Sequence, residues 1–148
     1  MSKTIKCEDL KFTIYVEDTD FQGFVYYANY LRFFERARSN FLSNNNLFQK
    51  KFIESNAAFV VKEVHTEYFA PAELGVEIIV QSTVEKKSDA RMVFSQSVKN
   101  LNNNNECAKG LVEVCFINLI TKKPQKFPDD LLLIYYLIQK KNKSNHYN

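Results

Sequence analysis

Residues 18 to 38 read DTDFQGFVYYANYLRFFERAR, with two carboxylates, Asp18 and Asp20, standing just ahead of a glycine and a run of rings. A carboxylate can attack a carbonyl carbon or draw a proton from water, if something stabilises the charge that develops on the carbonyl oxygen. The apolar stretch that follows can do this. Read as a helix beginning near Val25 to Tyr27, it turns unpaired N–H groups and the positive end of its dipole toward Asp20. Such an end can hold an oxyanion. Gly23 lies between the two, free to take a positive φ and close the turn. Carboxylate and helix end together are the two parts that acyl transfer or hydrolysis needs. The plainer reading keeps either aspartate as a helix N-cap, Asn29 as a residue bonded to local backbone, and Glu35 as a partner of Arg32 or Arg38 one turn away.

The elements that must position these residues follow from periodicity. KFTIYV alternates, with Phe12, Ile14 and Val16 on one side, and predicts a half-buried strand. Tyr27, Tyr30, Phe34, Ala37 and Phe41 are spaced for one stripe of a helix, which Leu31, Phe33 and Leu42 widen, so this helix is expected to be deeply buried. SNNN at 43 to 46 stops it. AFVVKEVHTEYF (58 to 69), VEIIVQSTVEKK (76 to 87), RMVFSQSV and CAKGLVEVCFINL predict four further strands, the last two joined by an Asn-rich hairpin loop. FPDDLLLIYYLIQKK predicts a terminal helix, acidic at its start and basic at its end. Consecutive antiparallel strands need a cover for their apolar face, and one long apolar helix is at hand. The expectation is an α+β domain spanning 1–148, its helix across a curved antiparallel sheet, with residues from about 139 to 148 a flexible basic tail.

Composition narrows the class of function. A 45% hydrophobic and 25% charged chain is a folded globular one. Its net charge of +3 owes much to Lys140, Lys141 and Lys143 near the end, which does not indicate a nucleic-acid surface. Cys7, Cys107 and Cys115 show no CxxC spacing and read as free thiols in a reducing compartment, with no metal site. No signal-like leader is expected, and the longest apolar run, LLLIYYLI, falls far short of the roughly 20 residues that span a bilayer. A cytoplasmic protein is expected. The apolar terminal helix reads as a subunit interface, with a basic end resting on a membrane as the weaker alternative.

YVEDTDFQGFVYYANYLRFFERAR closely resembles the signature of hotdog-fold acyl-CoA thioesterases of the 4-hydroxybenzoyl-CoA type, and most of all their Tol–Pal-associated, YbgC-type branch. The matching elements are DTD, G-F-V-Y and N-Y-L-R-F-F-E-R-A-R, followed by EYFAPAELGVEIIV and RMVFSQSV, and the resemblance covers about residues 8 to 128. It implies a hotdog fold with subunits paired edge to edge, as homodimers or homotetramers, and active sites between subunits. It implies that Asp20 is the catalytic carboxylate, as nucleophile or general base, with amides around Tyr26 and Tyr27 polarising the thioester oxygen. Tyr27 stands where many members of the branch have His, and Val16 where they often have Tyr. A Tyr hydroxyl orients water or substrate and is a poor base at neutral pH. Asn29 and Glu35 match the motif as supporting residues, with Asn29 bracing the turn. Arg91, Lys86 and Lys87 lie near where the family receives the coenzyme phosphates. The implied activity is hydrolysis of acyl-CoA, with acyl carrier protein as a second acyl donor and no cofactor. The alternative is a non-catalytic acyl-thioester binding or adaptor protein linked to envelope or lipid metabolism.

Overall fold

The computed structural model describes residues 4–144. Six strands form one antiparallel sheet: β1 (Thr4–Lys6), β2 (Leu10–Thr13), β3 (Ala57–Tyr68), β4 (Glu77–Lys86), β5 (Arg91–Asn100) and β6 (Glu106–Asn118). Their order is β1-β4-β5-β6-β3, with β2 also on β4. β2 pairs with the first half of β4 and β1 with the second, so together they act as one interrupted edge strand. The other edge is β3, paired among the described residues with β6 alone.

Alternation decides which face is apolar. Ile78, Val80, Ser82 and Val84 of β4 and Met92, Phe94, Gln96 and Val98 of β5 are all buried, while their in-between neighbours are not. Helix α1 (Asn29–Asn44) covers that face with Tyr30, Phe33, Phe34, Ala37 and Phe41. Where α1 crosses β6 there is no room for a side chain. A Cβ on Gly110 would lie 2.7 Å from Cε2 of Phe34, so this glycine is required by close approach. Two polar residues on the covered face are satisfied internally. Gln96 Nε2 donates to Ser82 Oγ and to the Phe34 carbonyl, and its Oε1 accepts from Arg38.

A long helix over an antiparallel sheet is the hotdog architecture expected above, and the five strands and two long helices drawn from periodicity are all present. Several boundaries differ. β1 and the short α2 (Gln49–Glu54) are additional; β1 has three residues, too few to show a period. β2 ends at Thr13, and Val16 is 73% exposed in a 3-10 turn, Val16–Asp18, because Asp18 Oδ2 accepts from the Tyr15 N–H and bends the chain. Helix α1 starts at Asn29 with Ala28 as its N-cap, later than the expected start near Val25 to Tyr27. Tyr26 and Tyr27 are drawn into the preceding loop by a bond from Tyr26 N–H to the Asp18 carbonyl.

The terminal helix α3 spans Asp129–Ser144, so residues 139–144 of the expected tail are helical; residues 145–148 lie outside the described residues. Leu131 and Tyr135 are buried in the core cluster with Phe127, while Leu133, Tyr136 and Leu137 remain about half exposed. Among the described residues no helix is long and apolar enough to cross a membrane.

Candidate active site

The two aspartates of DTD take different roles. Asp18 is buried, 5% exposed, and its Oδ1 accepts from Asn29 Nδ2 at 2.9 Å while Oδ2 accepts from Tyr15 N at 2.9 Å. Its carbonyl accepts from Tyr26 N at 2.9 Å. One buried residue thus ties the end of the first sheet edge, the loop and the first residue of α1 together. Asn29, also 5% exposed, meets Asp18 and not Asp20.

Asp20 heads the turn. Its N–H donates to the Phe24 carbonyl at 2.7 Å and its carbonyl accepts from Gly23 N at 3.1 Å, with Gly23 at φ +82°. No atom lies within 4 Å of a Cβ built on Gly23, so the glycine is needed for its backbone angle and not for space. Oδ1 of Asp20 accepts from Gln22 N at 2.9 Å and Phe24 N at 3.3 Å. These bonds use one oxygen; Oδ2 has no hydrogen bond among the described residues. Asp20 therefore caps its own turn and not helix α1, which leaves one carboxylate oxygen without a partner among the described residues. Phe21 beside it is fully exposed.

The segment after β3 clamps this loop from the other side. Val25 N donates to the Ala72 carbonyl at 2.8 Å, Leu74 N to the Gly23 carbonyl at 3.0 Å, and Gly75 N to the Ile14 carbonyl at 2.9 Å. Ala72 is fully buried under it. This clamp is not visible in any local pattern, since it joins residues 47 to 61 positions apart.

The amides ahead of α1 divide accordingly. Those of Val25 and Tyr26 are taken by Ala72 and Asp18, which removes Tyr26 from the expected donors. Those of Tyr27 and Ala28 make no hydrogen bond among the described residues. Free donors and the free carboxylate oxygen thus lie on one loop. Around them is a cluster of rings: Tyr26 and Tyr27 at 4.9 Å, Tyr27 and Tyr68 at 6.3 Å, Tyr30 and Tyr68 at 5.7 Å. A hydrogen bond with Tyr27 pushes the Tyr26 hydroxyl above its ordinary pKa, and burial raises that of Tyr30 to about 12. Both stay protonated donors at neutral pH.

The remaining sequence-predicted residues are elsewhere. Glu35 Oε1 accepts from Ser39 Oγ at 2.6 Å, and it lines a cavity of about 110 Å³ between α1 and β3 with Arg38, Leu42, Phe59, Met92 and Phe94. Burial lowers the Arg38 pKa, opposed by the charge of Glu35. Lys86, Lys87 and Arg91 form the β4–β5 turn, with Lys86 paired to Asp89 at 2.6 Å. That turn is at the far end of β4 from Glu77, which sits beside the loop, a strand length of about 30 Å at roughly 3.3 Å per residue. Within one copy, these cations and Asp20 are not brought together. A larger groove of about 580 Å³ lies on the outer sheet face, lined by His65, Gln81, Thr83, Ser95, Ser97 and Lys109. Neither cavity includes Asp20.

A buried helix under an antiparallel sheet, with an acidic turn ahead of it, is the hotdog architecture. The chain belongs to the thioesterase-like superfamily, whose family model matches residues 14–134. It is 35% identical over 124 residues to the acyl-CoA thioesterase YbgC of Haemophilus influenzae, covering 83% of this chain and 90% of that one. It is 32% identical over 119 residues to the acyl-CoA thioester hydrolase YbgC of Escherichia coli O6:H1, covering 80% and 88%. A crystal structure of a 1,4-dihydroxy-2-naphthoyl-CoA thioesterase from Synechocystis superposes with a TM-score of 0.82 at 22% identity, over 89% of this chain and 95% of that one.

Proposed function

We propose that this protein hydrolyses the thioester bond of acyl-CoA at Asp20, in a site completed between two copies of the chain. The observation that carries the reading is the division of labour at Asp20: one oxygen is held by the Gln22 and Phe24 amides, and the other is free, on the loop that exposes the Tyr27 and Ala28 amides. As general base, Asp20 takes a proton from water as the hydroxide adds to the thioester carbon. The oxyanion rests on the amides, and its collapse expels the coenzyme thiolate, which receives the proton. As nucleophile, Asp20 itself adds, expels the thiolate and leaves an anhydride that water opens. Hydrolysis in heavy-oxygen water separates the two, because a nucleophilic Asp20 acquires the label when water attacks its own carbonyl. An acyl group on acyl carrier protein offers the same thioester and belongs in the same assay.

The second copy enters through β3. Twelve residues long and, among the described residues, unpaired on its outer side, β3 is an edge that a two-fold axis would pair antiparallel with its equivalent. Val61 and Val64 are exposed along it. Such pairing sets the Tyr68 end of one strand beside the Ala57 end of the other. Tyr68 touches the Asp20 loop, while Phe59 lines the 110 Å³ cavity. Val60 pairs with Cys115, and Cys115 with Arg91, so the turn carrying Lys86 and Lys87 is also at that end. Asp20 of one copy would then face the 110 Å³ cavity and three cations of the other, which supports the coenzyme-binding expectation for Arg91, Lys86 and Lys87.

The test is a panel of short, long and aryl-CoA thioesters followed by thiol release, with Asp20→Asn alongside and mass measured by light scattering. We expect a dimer or a pair of dimers, and a loss in kcat of about 10²- to 10⁴-fold in the variant. Hydrolysis near the wild-type rate by folded Asp20→Asn would remove Asp20 from the chemistry. A monomer that turns over substrate would remove the second copy.

A further inference from the structure

The two free amides are aimed by different partners. In a planar trans peptide the C=O and N–H point in opposite directions, so whatever holds the carbonyl also orients the amide of the same unit. The unit joining Tyr26 to Tyr27 is held by Asn29 N, which donates to the Tyr26 carbonyl at 2.8 Å; this fixes the Tyr27 N–H from within the backbone. The next unit, which carries the Ala28 N–H, has its carbonyl on Tyr27. Among the described residues that carbonyl receives one hydrogen bond, from the Tyr68 hydroxyl at 3.0 Å, 41 residues along the chain.

Tyr68 is well placed to hold it. Its backbone is in register with Ala108 of β6, and the following N–H, of Phe69, donates to the Cys107 carbonyl at 2.9 Å. Its ring rests against Tyr30 at 5.7 Å and meets the Tyr27 ring edge-on at 6.3 Å. Burial, and then the proximity of Tyr27, raise its pKa and keep the hydroxyl a donor.

We propose that Tyr68 is a positioning residue for thioester hydrolysis, holding the peptide between Tyr27 and Ala28 so that the Ala28 N–H points at the developing oxyanion. The proposal rests on the reading of Asp20 as the hydrolytic carboxylate. In this role Tyr68 acts through one peptide plane, by its bond to the Tyr27 carbonyl. The Tyr68→Phe substitution keeps the ring contacts and removes the hydroxyl alone.

The full-length variant is compared with wild type on a CoA thioester that the wild type hydrolyses. Binding of two CoA analogues is measured beside it: a thioether, which cannot form an oxyanion, and a trifluoromethyl ketone, which does. Removing an oxyanion donor outright costs about 10²- to 10³-fold in kcat, and misaiming one should cost about tenfold. We expect that loss in kcat with KM within twofold, a similar loss of affinity for the ketone, and unchanged affinity for the thioether. Wild-type kcat in Tyr68→Phe overturns the proposal, as does equal weakening of both analogues, which would mark a general structural role. Failure of the Asp20 reading looks different: folded Asp20→Asn then hydrolyses the thioester near the wild-type rate, and the role of Tyr68 falls with it.

Discussion

Asn29→Ala tests how the loop is held. The substitution removes the 2.9 Å bond from Nδ2 to Asp18 Oδ1 and leaves the buried carboxylate with the Tyr15 amide alone as side-chain partner. A hydrogen bond to a charged group is worth about 1.5–3 kcal/mol. Against this, alanine is the better helix former at the first position of α1, by about 0.7 kcal/mol at most. The buried bond dominates, and the net loss should be about 1–2 kcal/mol. For a chain of this size, each kcal/mol lowers Tm by about 2–4 °C, so a fall of about 2–8 °C is expected. Urea unfolding followed by far-UV circular dichroism gives the free energy. A double-mutant cycle with Asp18→Asn isolates the pair, with an expected coupling of about 1–2 kcal/mol. Because Asp18 also holds Tyr26 through its carbonyl, kcat should fall in Asn29→Ala beyond the fraction of unfolded protein. Unchanged stability, or single penalties that simply add, would refute the view that this pair ties loop to helix.

Gly110→Ala should destabilise the fold by about 1–3 kcal/mol, the usual cost of forcing a carbon into a filled core. The Phe34 ring stands 2.7 Å from the new carbon, and Phe34→Leu in the same chain should recover part of the loss in urea unfolding. Burial pushes the Cys7 thiol from 9.0 up to about 12, opposed by the weaker effect of Lys6. The unfolded chain ionises this thiol near 9 while the fold keeps it neutral, so its contribution is whole below pH 9 and is lost as pH rises toward 12. The urea midpoint should fall over that window, and Cys7→Ala should flatten the fall; an equal slope in both proteins would refute it.

The architecture was legible because it is written in periods. β4 and β5 alternate buried and more open positions, and α1 buries Tyr30, Phe34, Ala37 and Phe41 of the expected stripe. β3 shows the limit: as an open edge it exposes most of its length, so its run of Val and Tyr marked a strand without telling which face is covered. Where Asp18 captured the backbone, through its side chain or its carbonyl, periodicity overran the true boundary. Val16 continues the alternation of KFTIYV and is exposed, because Asp18 turns the chain at Tyr15. Tyr27 continues the helical stripe and lies in the loop, because the Tyr26 N–H goes to Asp18.

The sequence by itself determined the chemical inventory: the acidic pair, the glycine whose φ closes the turn, and the apolar helix behind them, since each depends on residue type or on neighbours a few positions away. Tertiary structure decided the roles. Asp18 is the structural member of the pair because Asn29 and Tyr26 return to it across the loop, and Asp20 keeps a free oxygen because its turn consumes only one. That Ala72 takes the Val25 amide, and that Tyr68 holds the peptide between Tyr27 and Ala28, depends on contacts spanning 41 residues or more. Such contacts are set by the register of β3 on β6 and by the clamp at Ala72, and no local spacing records them.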